Sequence, residues 1–365
     1  MKILMVCNNL SRGGAEKQLS YIINNLYQKH TFNIILLDDL DHKLKYNNIP
    51  ITYFPIQKSI FHPQSIISIF KFLLYVRKQN AHILHSWLYR PNLITSIIKI
   101  FYRKSNFIVS ERNTFFWHKK YHFIINKIIY RLCNTILVNS YTLKKEIKKF
   151  CKVYKQIKII PNGIDLKEDI DKLEIPQLIQ NLKDKNNIII GSVGRFVKQK
   201  RYNDIIEAAK ILFQVKRNIH FVFIGGRGDQ KKFQQLIENY HIGNFITHIG
   251  EIQNVLPYIK GFDIFLHASS AEGMSNAIME AMLMGKPIIA TDVGGTSDLI
   301  DNGVNGILIP PFRPDKIVSA IETLLINKKL QKIFSLNNIK KIQNYSIEKM
   351  ISNIDQMYIE TCDKS

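Results

Sequence analysis

The sequence predicts an α/β protein with two Rossmann-like, doubly wound domains facing a cleft. Short, continuous apolar runs alternate with helix-like segments almost from end to end, as in parallel sheets that helices cover on both faces. The runs form two successive series, divided by a polar stretch over 165–187. The length, 365 residues, also exceeds what one simple core usually holds.

The first series predicts an N-terminal domain over 1–165. Its strand-like runs are KILMVCN, FNIILLDD, AHILHSW, NFIVSER, TILVNS and IKIIPNG. The second series predicts a C-terminal domain over 166–340, with the runs NIIIGSVGR, IHFVFIGG, FITHIGE, DIFLHAS, KPIIATD and NGILIPP. The last helical segment, in 341–365, has no strand after it, and we expect it to pack back on the N-terminal domain. Ligands bind at the carboxyl ends of such strands, so the site is expected in the cleft.

Composition excludes several classes of protein. The four cysteines have neither disulfide-framework nor zinc-site spacing, which indicates a reducing compartment. The apolar run at residues 3–7 is too short for a signal peptide, and no charge-free apolar run reaches the roughly 18 residues of a membrane-spanning helix. The net charge is +22, and residues 99–158 hold fifteen Lys or Arg against two Glu. Such a block favours an anionic surface or a phosphorylated ligand.

Two short patterns predict phosphate contacts. Gly13 and Gly14 follow the first strand and precede a helix, where backbone N–H groups can approach a phosphate or sugar, although an ordinary tight turn has the same pattern. Arg195 ends a buried strand and Lys200 lies five residues on, before an amphipathic helix. Two cations there suit a diphosphate, although they could be solvated loop charges.

The glycines in FIGGRGDQ are similar to a dinucleotide fingerprint. The acidic residue expected about 20 residues later is missing, so NAD binding is rejected.

The stretch EGMSNAIME, residues 272–280, holds two glutamates eight residues apart. It follows the strand DIFLHAS, so a helix is expected to begin near Ser275. Glu272 and Gly273 then lie in the loop, and Glu280 lies about 80° round the helix. The two acids can meet different parts of one extended ligand, and carboxylates accept paired hydrogen bonds from sugar or ribose diols.

These motifs together resemble the retaining glycosyltransferases of family 4, which have the GT-B fold. The resemblance covers essentially the whole chain and rests on SRGGAEKQ, IIPNGID, VGRFVKQK and EGMSNAIMEAMLMGKPIIATDVGG, in that order. It implies that a sugar passes from a nucleotide-sugar donor to an acceptor hydroxyl on the same face of the sugar. No cofactor and no metal are expected, because the nucleotide sugar is a substrate.

The resemblance also implies residue roles. Glu272 would contact the donor sugar, Glu280 the ribose diol, and Arg195 and Lys200 the departing diphosphate, with Gly14 approaching the phosphates from the other domain. The residues that would line the sugar and phosphate are Gly273, Met274, Ser275 and Asn276.

Three further residues are expected near the acceptor or the reacting sugar. Many relatives carry a histidine where SERN puts Arg112, and this form resembles a branch that often handles N-acetylhexosamines, so Arg112 and Asn113 are predicted contacts. His85 ends the strand HILHSW and could line the cleft or be a structural, hydrogen-bonded histidine. Asp298 stands where relatives usually have a glutamate.

Residues 115–132 mix aromatic, aliphatic and basic side chains. They suit a helix on anionic lipid at the inner face of the cell membrane, where a lipid-linked glycan acceptor would lie, or a core-facing helix with a basic outer side. A cytoplasmic, peripheral glycosyltransferase is therefore predicted. A sugar 2-epimerase of the same fold and a non-catalytic nucleotide-sugar or membrane scaffold remain alternatives. Nucleic-acid binding is not expected, because no recognisable module is present.

Overall fold

The structure is a computed structural model, and it describes residues 1–10, 13–38, 49–57, 59–153, 155–215 and 218–363. The chain forms two compact units. Unit 1 comprises Met1–Gly163 with Ile347–Ser365, and unit 2 comprises Ile164–Ser346. Each is an α/β unit with a parallel sheet, which confirms the predicted fold class.

Unit 1 is built on a parallel sheet in which β1 pairs with both β2 and β4. Within the described residues its strands are β1 (Lys2–Cys7), β2 (Thr31–Leu36), β3 (Ile51–Tyr53), β4 (Ile83–Trp87), β5 (Asn106–Glu111), β6 (Thr135–Val138) and β7 (Ile157–Ile159). Their order in the sheet is β3-β2-β1-β4-β5-β6-β7. The direction of winding therefore reverses between β1 and β4, which is where doubly wound sheets open a crevice for ligands.

Helices cover both faces of this sheet. They are α1 (Gly14–Leu26), α2 (Pro63–Gln79), α3 (Tyr89–Phe101), α4 (Lys120–Leu132) and α5 (Tyr141–Glu146), the last continued by a π-helical turn over Ile147–Cys151. Successive residues of β1 point to opposite faces. Leu4 and Val6 face the core beneath α2 to α5, whereas Ile3 and Met5 face the core that α1 shares with the C-terminal helix.

That C-terminal helix, Ile347–Asp363, belongs to unit 1. Polar contacts tie it to the sheet: the Tyr358 hydroxyl lies 2.8 Å from His85 Nδ1, and the Thr361 and Thr135 hydroxyls lie 3.1 Å apart. Met350, Ile354 and Met357 fill the apolar core on this face. The two ends of the chain therefore build one unit.

Unit 2 has a second parallel sheet. Among the described residues its strands are β8 (Ile188–Val193), β9 (Ile219–Ile224), β10 (Ile246–Ile249), β11 (Ile264–His267), β12 (Ile288–Thr291) and β13 (Ile307–Ile309), in the order β10-β9-β8-β11-β12-β13. Its helices are α6 (Gln177–Asp184), α7 (Tyr202–Val215), α8 (Gln230–Asn239), α9 (Leu256–Gly261), α10 (Asn276–Leu283), α11 (Thr296–Leu299), α12 (Pro314–Ile326) and α13 (Lys328–Ile342). The C-terminal helix of unit 1 is α14. Here the winding reverses between β8 and β11.

Two expected boundaries shift. The second domain boundary, expected at 340, falls after Ser346, because α13 runs on to Ile342 and a 3-10 turn follows it. The predicted helix over 115–132 begins only at Lys120. Lys119 is extended, and its backbone N–H donates to His122 Nδ1 (3.0 Å), which starts the helix there. Among the helices of the described residues, none combines the length and apolarity needed to cross a bilayer.

Candidate functional site

In unit 2, the carboxyl group of Glu272 is the centre of a buried polar cluster. Its Oε1 accepts hydrogen bonds from Lys200 Nζ (2.5 Å), Ser269 Oγ (2.6 Å) and His267 Nε2 (3.0 Å). Lys200 lies between β8 and α7, whereas the other three residues end or follow β11. Because β8 and β11 are neighbours, their carboxyl ends bring Lys200 and Glu272 together across 72 positions of sequence.

The surroundings of Glu272 hold it as a carboxylate. Burial alone would raise the pKa of this carboxyl, but the charge of Lys200 and the hydrogen bonds from His267 and Lys200 outweigh it and hold the pKa well below its usual range. Burial and the charge of Lys200 also lower the pKa of His267 and keep its ring neutral. All three hydrogen bonds end on Oε1, so Oε2 is the oxygen that a ligand would meet.

The helix after this loop begins where the sequence predicts. α10 starts at Asn276, and Ser275 caps it by accepting a hydrogen bond from the Ile278 N–H (3.4 Å). Gly273 and Met274 are buried in the preceding loop, and Glu280 is buried in the second turn, 8% exposed. One loop and one helix thus carry all the predicted contacts from Glu272 to Glu280.

The two predicted cations lie in different settings. Lys200 is inside the buried cluster, its side chain 16% exposed. Arg195 follows β8 by two residues, and its side chain is exposed. Among the described residues, the structure joins Lys200 to Glu272 but does not join Arg195 to it.

Sequence reasoning missed three residues that support Glu272. His267 and Ser269 contact the carboxylate directly, and Gln199 ties the loops together by donating from Nε2 to the Ala271 carbonyl (2.6 Å). A signal was present for two of them, because His267 ends β11 and Ser269 follows it, at the sheet edge where ligands bind. No pattern in the sequence indicated a role for Gln199.

In unit 1, Arg112 is a buried cation. It is 6% exposed, its guanidinium lies 4.0 Å from the centroid of the Trp87 ring, and Nη1 donates to Asn162 Oδ1 (3.3 Å). Burial lowers its pKa to about 9, so it stays charged at pH 7. Its Nε and Nη2 are buried without a hydrogen-bond partner among the described residues. A buried cation with two unused donors is costly unless an anion or another acceptor meets it.

The glycine pair lies on the same face of the sheet. α1 begins at Gly14, and a Cβ on Gly13 would come within 2.0 Å of Glu16 Oε2, which lies at the end of a flexible side chain that can move aside. Trp87 Nε1 donates to the Ala15 carbonyl (3.2 Å), so Trp87 links the start of α1 to Arg112. The first two residues of SRGGAEKQ, at 11 and 12, lie outside the described residues.

Arg112 and Asn113, which the sequence grouped together, point to opposite sides. Side chains alternate across an extended chain. Arg112 therefore lies beside Trp87 on the α1 and α14 face, whereas Asn113 lines a cavity of about 260 Å³ with Glu111 on the other face.

His85 is a structural histidine. It is fully buried, with Nδ1 on the Tyr358 hydroxyl (2.8 Å) and Nε2 on Ser110 Oγ (2.7 Å). Burial, reinforced by the charge of Arg112, lowers its pKa to about 3. Of the two readings of HILHSW, the structure therefore favours the hydrogen-bonded core histidine. The expected sugar contact is wrong, because the ring is fully buried and both of its nitrogens are hydrogen-bonded within the protein.

Two family models match the chain in succession. Residues 12–168 match the family described as Glycosyltransferase Family 4, and residues 176–341 match the one described as Glycosyl transferases group 1. The matches follow the division into units 1 and 2 closely.

Relatives with assigned activities are similar over different lengths. An Escherichia coli UDP-Gal:alpha-D-GlcNAc-diphosphoundecaprenol alpha-1,3-galactosyltransferase is 30% identical over 62% of this chain and 61% of its own length. A Campylobacter jejuni N-acetylgalactosamine-N,N'-diacetylbacillosaminyl-diphospho-undecaprenol 4-alpha-N-acetylgalactosaminyltransferase is 25% identical over 89% of this chain and 90% of its own. The chain spans about three fifths of the first relatives that it matches.

A solved structure has the same fold. Anabaena HepE, crystallised in complex with UDP-glucose, superposes with a TM-score of 0.84 over the full length of both chains, at 22% sequence identity.

Proposed function

The chain belongs to the family 4 glycosyltransferases, and from that premise we propose that it is a retaining enzyme of glycan assembly. It moves a sugar from a nucleotide donor, a UDP-N-acetylhexosamine or another UDP-hexose, to a lipid-linked glycan. Two relatives are named for undecaprenyl-diphosphate-linked acceptors, and the HepE structure contains UDP-glucose, which supports both halves of this proposal.

The pairing of Lys200 with Glu272 is the observation that carries the proposal. Their side chains meet at the carboxyl edge of the sheet, where winding reverses between β8 and β11. A site for a nucleotide sugar needs a cation that binds the diphosphate. Beside it, the site needs a group that accepts hydrogen bonds from the sugar hydroxyls. Here a lysine and a carboxylate lie 2.5 Å apart at the edge where such ligands bind.

Glu272 would accept hydrogen bonds from the donor sugar through Oε2. It stays charged near neutral pH, so it accepts hydrogen bonds and does not donate them. Glu280, in the second turn of α10, would accept from the ribose diol. The loop from Gly273 to Asn276 would lie along the sugar and phosphate.

Lys200 and Arg195 would stabilise the leaving nucleoside diphosphate. The acceptor hydroxyl forms the new glycosidic bond on the face from which the diphosphate departs, and the departing phosphate oxygen takes the hydroxyl proton. Negative charge grows on the diphosphate as the old bond breaks, so nearby cations lower the barrier. Arg112 and Gly14, on one face of unit 1, would meet a further anionic part of the substrates. These side chains supply the positive charge, so no metal is expected to be needed.

The outer surface of unit 1 supports a location at an anionic membrane. On α4 the exposed apolar residues Tyr121, Ile124 and Ile128 are spaced as one helix face, 51–64% exposed. Lys120, Lys127 and Arg131 lie on the same helix, which suits anionic lipid. Further exposed apolar residues lie on or just before α2: Phe61, Ile66, Ile67, Phe70 and Leu74.

The activity is tested by nucleoside diphosphate release from a panel of UDP- and GDP-sugars, with and without a short polyprenyl-diphosphate glycan, and with EDTA in parallel. One donor should release diphosphate in an acceptor-dependent reaction that EDTA leaves unchanged, and the product linkage should keep the donor's anomeric configuration. Release or sugar conversion without acceptor would favour the epimerase, and nucleotide-sugar binding without turnover would favour the scaffold.

The membrane location is tested by flotation with anionic vesicles at physiological salt. The double variant Ile124→Ser with Ile128→Ser should lose flotation. Leu336→Ser, which removes an equally exposed apolar side chain of α13 in unit 2 (68% exposed), should keep it. Equal flotation of both variants would refute the assignment to α4.

A further inference from the structure

The cavity in unit 1 lies where the winding of its sheet reverses. Asn8 follows β1, Leu88 follows β4 and Glu111 ends β5, and all three line the cavity. Its volume is about 260 Å³. Pockets for drug-sized ligands start at roughly 300 Å³, so this one suits a single monosaccharide-sized group.

Its lining does not offer a charge for a phosphate. Among the described residues that line it, Arg90 is the cation. Arg90 is already engaged, because its guanidinium is paired with Asp38 and donates to the carbonyls of Ile56 and Gln57. An anionic ligand would therefore lose its water without gaining a free cation, whereas a neutral ligand meets no such cost.

Glu111 gives the cavity a carboxyl group that both donates and accepts hydrogen bonds. It is 4% exposed, and its Oε1 accepts from Asn92 Nδ2 (2.9 Å) and the Tyr130 hydroxyl (3.0 Å). Oε2 is the oxygen that a ligand would meet. Burial raises the pKa of this carboxyl to about 7, so near neutral pH it is protonated in part of the molecules.

The remaining lining suits the faces and hydroxyls of a sugar ring. Tyr89 and Trp117 contribute aromatic faces, with their ring centroids 5.2 Å apart. His118 is kept neutral because burial lowers its pKa to about 4, and both of its ring nitrogens are buried without a hydrogen-bond partner among the described residues. Asn113 adds an amide. Aromatic faces combined with a few convergent polar groups are the usual make-up of a small-molecule site.

We propose that this cavity binds one neutral sugar residue of the acceptor, with Glu111 Oε2 hydrogen-bonded to a ring hydroxyl and Trp117 against the ring. The proposal rests on the proposed glycosyltransferase function and adds a defined sugar subsite to unit 1. The acceptor is then recognised by a sugar as well as by any diphosphate group that it carries.

The test uses the fluorescence of Trp117 in the full-length protein. The sequence has two tryptophans. Trp87 is fully buried whereas Trp117 is 43% exposed, so protection from acrylamide quenching on ligand addition reports on Trp117. A panel of methyl N-acetylhexosaminides and methyl hexosides is titrated against inorganic diphosphate and UMP. One or more glycosides should reduce the acrylamide quenching saturably, and diphosphate and UMP should not.

Variants locate the binding. Asn113→Leu and Glu111→Leu should each weaken glycoside binding about tenfold or more, because each leaves a sugar hydroxyl unpaired. Glu111→Gln keeps an acceptor for Tyr130 and should retain most of the binding, which covers the case that Glu111→Leu does not fold. The matched control is Glu146→Gln. Glu146 is a half-buried glutamate of the same unit that accepts from the Phe115 N–H (3.2 Å) and is not among the residues that line the cavity.

The outcomes separate this proposal from the proposed function. Glycoside binding that depends on Asn113 and Glu111, without transfer from any donor, would keep the subsite and overturn the function. Transfer with an unchanged acceptor KM in Asn113→Leu, together with no glycoside response, would keep the function and overturn the subsite. A saturable response to inorganic diphosphate or UMP instead of a glycoside would also overturn it.

Discussion

Glu272 in unit 2 and Glu111 in unit 1 occupy comparable places, yet their pKa values shift in opposite directions. Each lies at the carboxyl edge of a parallel sheet, 7% and 4% exposed respectively. Glu272 contacts the ammonium of Lys200, whereas Glu111 contacts a phenol and an amide. The pKa of Glu272 is lowered and that of Glu111 is raised to about 7.

The difference lies in the partners, since burial is nearly equal. Burial raises the pKa of both carboxyls, and only a nearby cation reverses it. Unit 2 thus holds a permanent charge at its sheet edge, and unit 1 holds a carboxyl that exchanges its proton near neutral pH. Under the functions proposed here, Glu272 accepts hydrogen bonds beside a diphosphate. Glu111 can either accept a hydrogen bond from a sugar hydroxyl or donate one to it.

Removing the charged carboxylate should have the largest effect. Glu272→Ala should lower kcat/KM for transfer roughly 100- to 1,000-fold, because a preorganised polar group beside the reacting sugar is lost. Steady-state kinetics and thermal unfolding of the purified variant measure this. Glu238→Ala, on the exposed end of α8, is the control and should match the wild type. Near-normal turnover in Glu272→Ala would show that Glu272 is not part of the active site.

Removing only the cation should shift the pKa of Glu272 towards that of Glu111. Lys200→Met should lower kcat/KM roughly tenfold to 100-fold, and it should raise the pKa of Glu272. A carboxyl with a lowered pKa stabilises the fold above its unfolded pKa and loses this contribution as the pH falls. In the variant this contribution is lost, so stability should fall less than in the wild type as the pH drops below about 5, as urea unfolding between pH 3 and 7 would show.

The control for that profile is Lys341→Met, which breaks the exposed pair with Asp301 (2.8 Å) in the same unit. Surface pairs contribute little, about 0–1 kcal/mol, so its profile should follow the wild type. If the profiles of Lys200→Met and Lys341→Met coincide, Lys200 does not set the charge of Glu272.

Glu111→Gln should change stability more than turnover. The folded pKa of Glu111 is about 7 against an ordinary value of 4.5, so the folded state holds more protons between these pH values. The free energy of unfolding of the wild type therefore falls as the pH rises through this window. Glu111→Gln should be more stable than the wild type by about 1–3 kcal/mol at pH 8 and no more stable at pH 4. Parallel urea curves at both pH values test this, and an equal difference at both would contradict the raised pKa.

His85→Leu should have the smallest effect on turnover. It removes the hydrogen bonds to Tyr358 and Ser110 and should lower the free energy of unfolding by about 1–3 kcal/mol. The KM values for donor and acceptor should stay within twofold of the wild type, because the ring is fully buried. A large rise in either KM at unchanged stability would return His85 to the site.

Much of the fold follows from local sequence. Each predicted apolar run became a strand, because parallel strands buried on both faces need unbroken apolar runs, and EGMSNAIME placed the start of α10 through its serine cap. The start of α4 was missed because it depends on a single local bond from the Lys119 N–H to His122.

The site was only partly predictable. Lys200 and Glu272 were both named, since each follows a strand, but the support from His267 depends on strand order that the sequence does not state. Arg112 and Asn113 were grouped because they are adjacent, whereas alternation along the chain sends them to opposite faces. Glu111 was passed over within a buried run, and its value as a ligand group appears only once Tyr130 and Asn92 are beside it.

The place of α14 has a consequence for synthesis. Unit 1 needs both the first 163 residues and the helix Ile347–Asp363, whereas unit 2 is continuous in sequence. On the ribosome the second unit therefore emerges whole while the first still lacks the helix that carries Met350 and Tyr358. Domains usually fold from the N-terminus onward. Here the order of completion is reversed, and the sheet face that α1 and α14 share stays only partly covered until residue 363 has been translated.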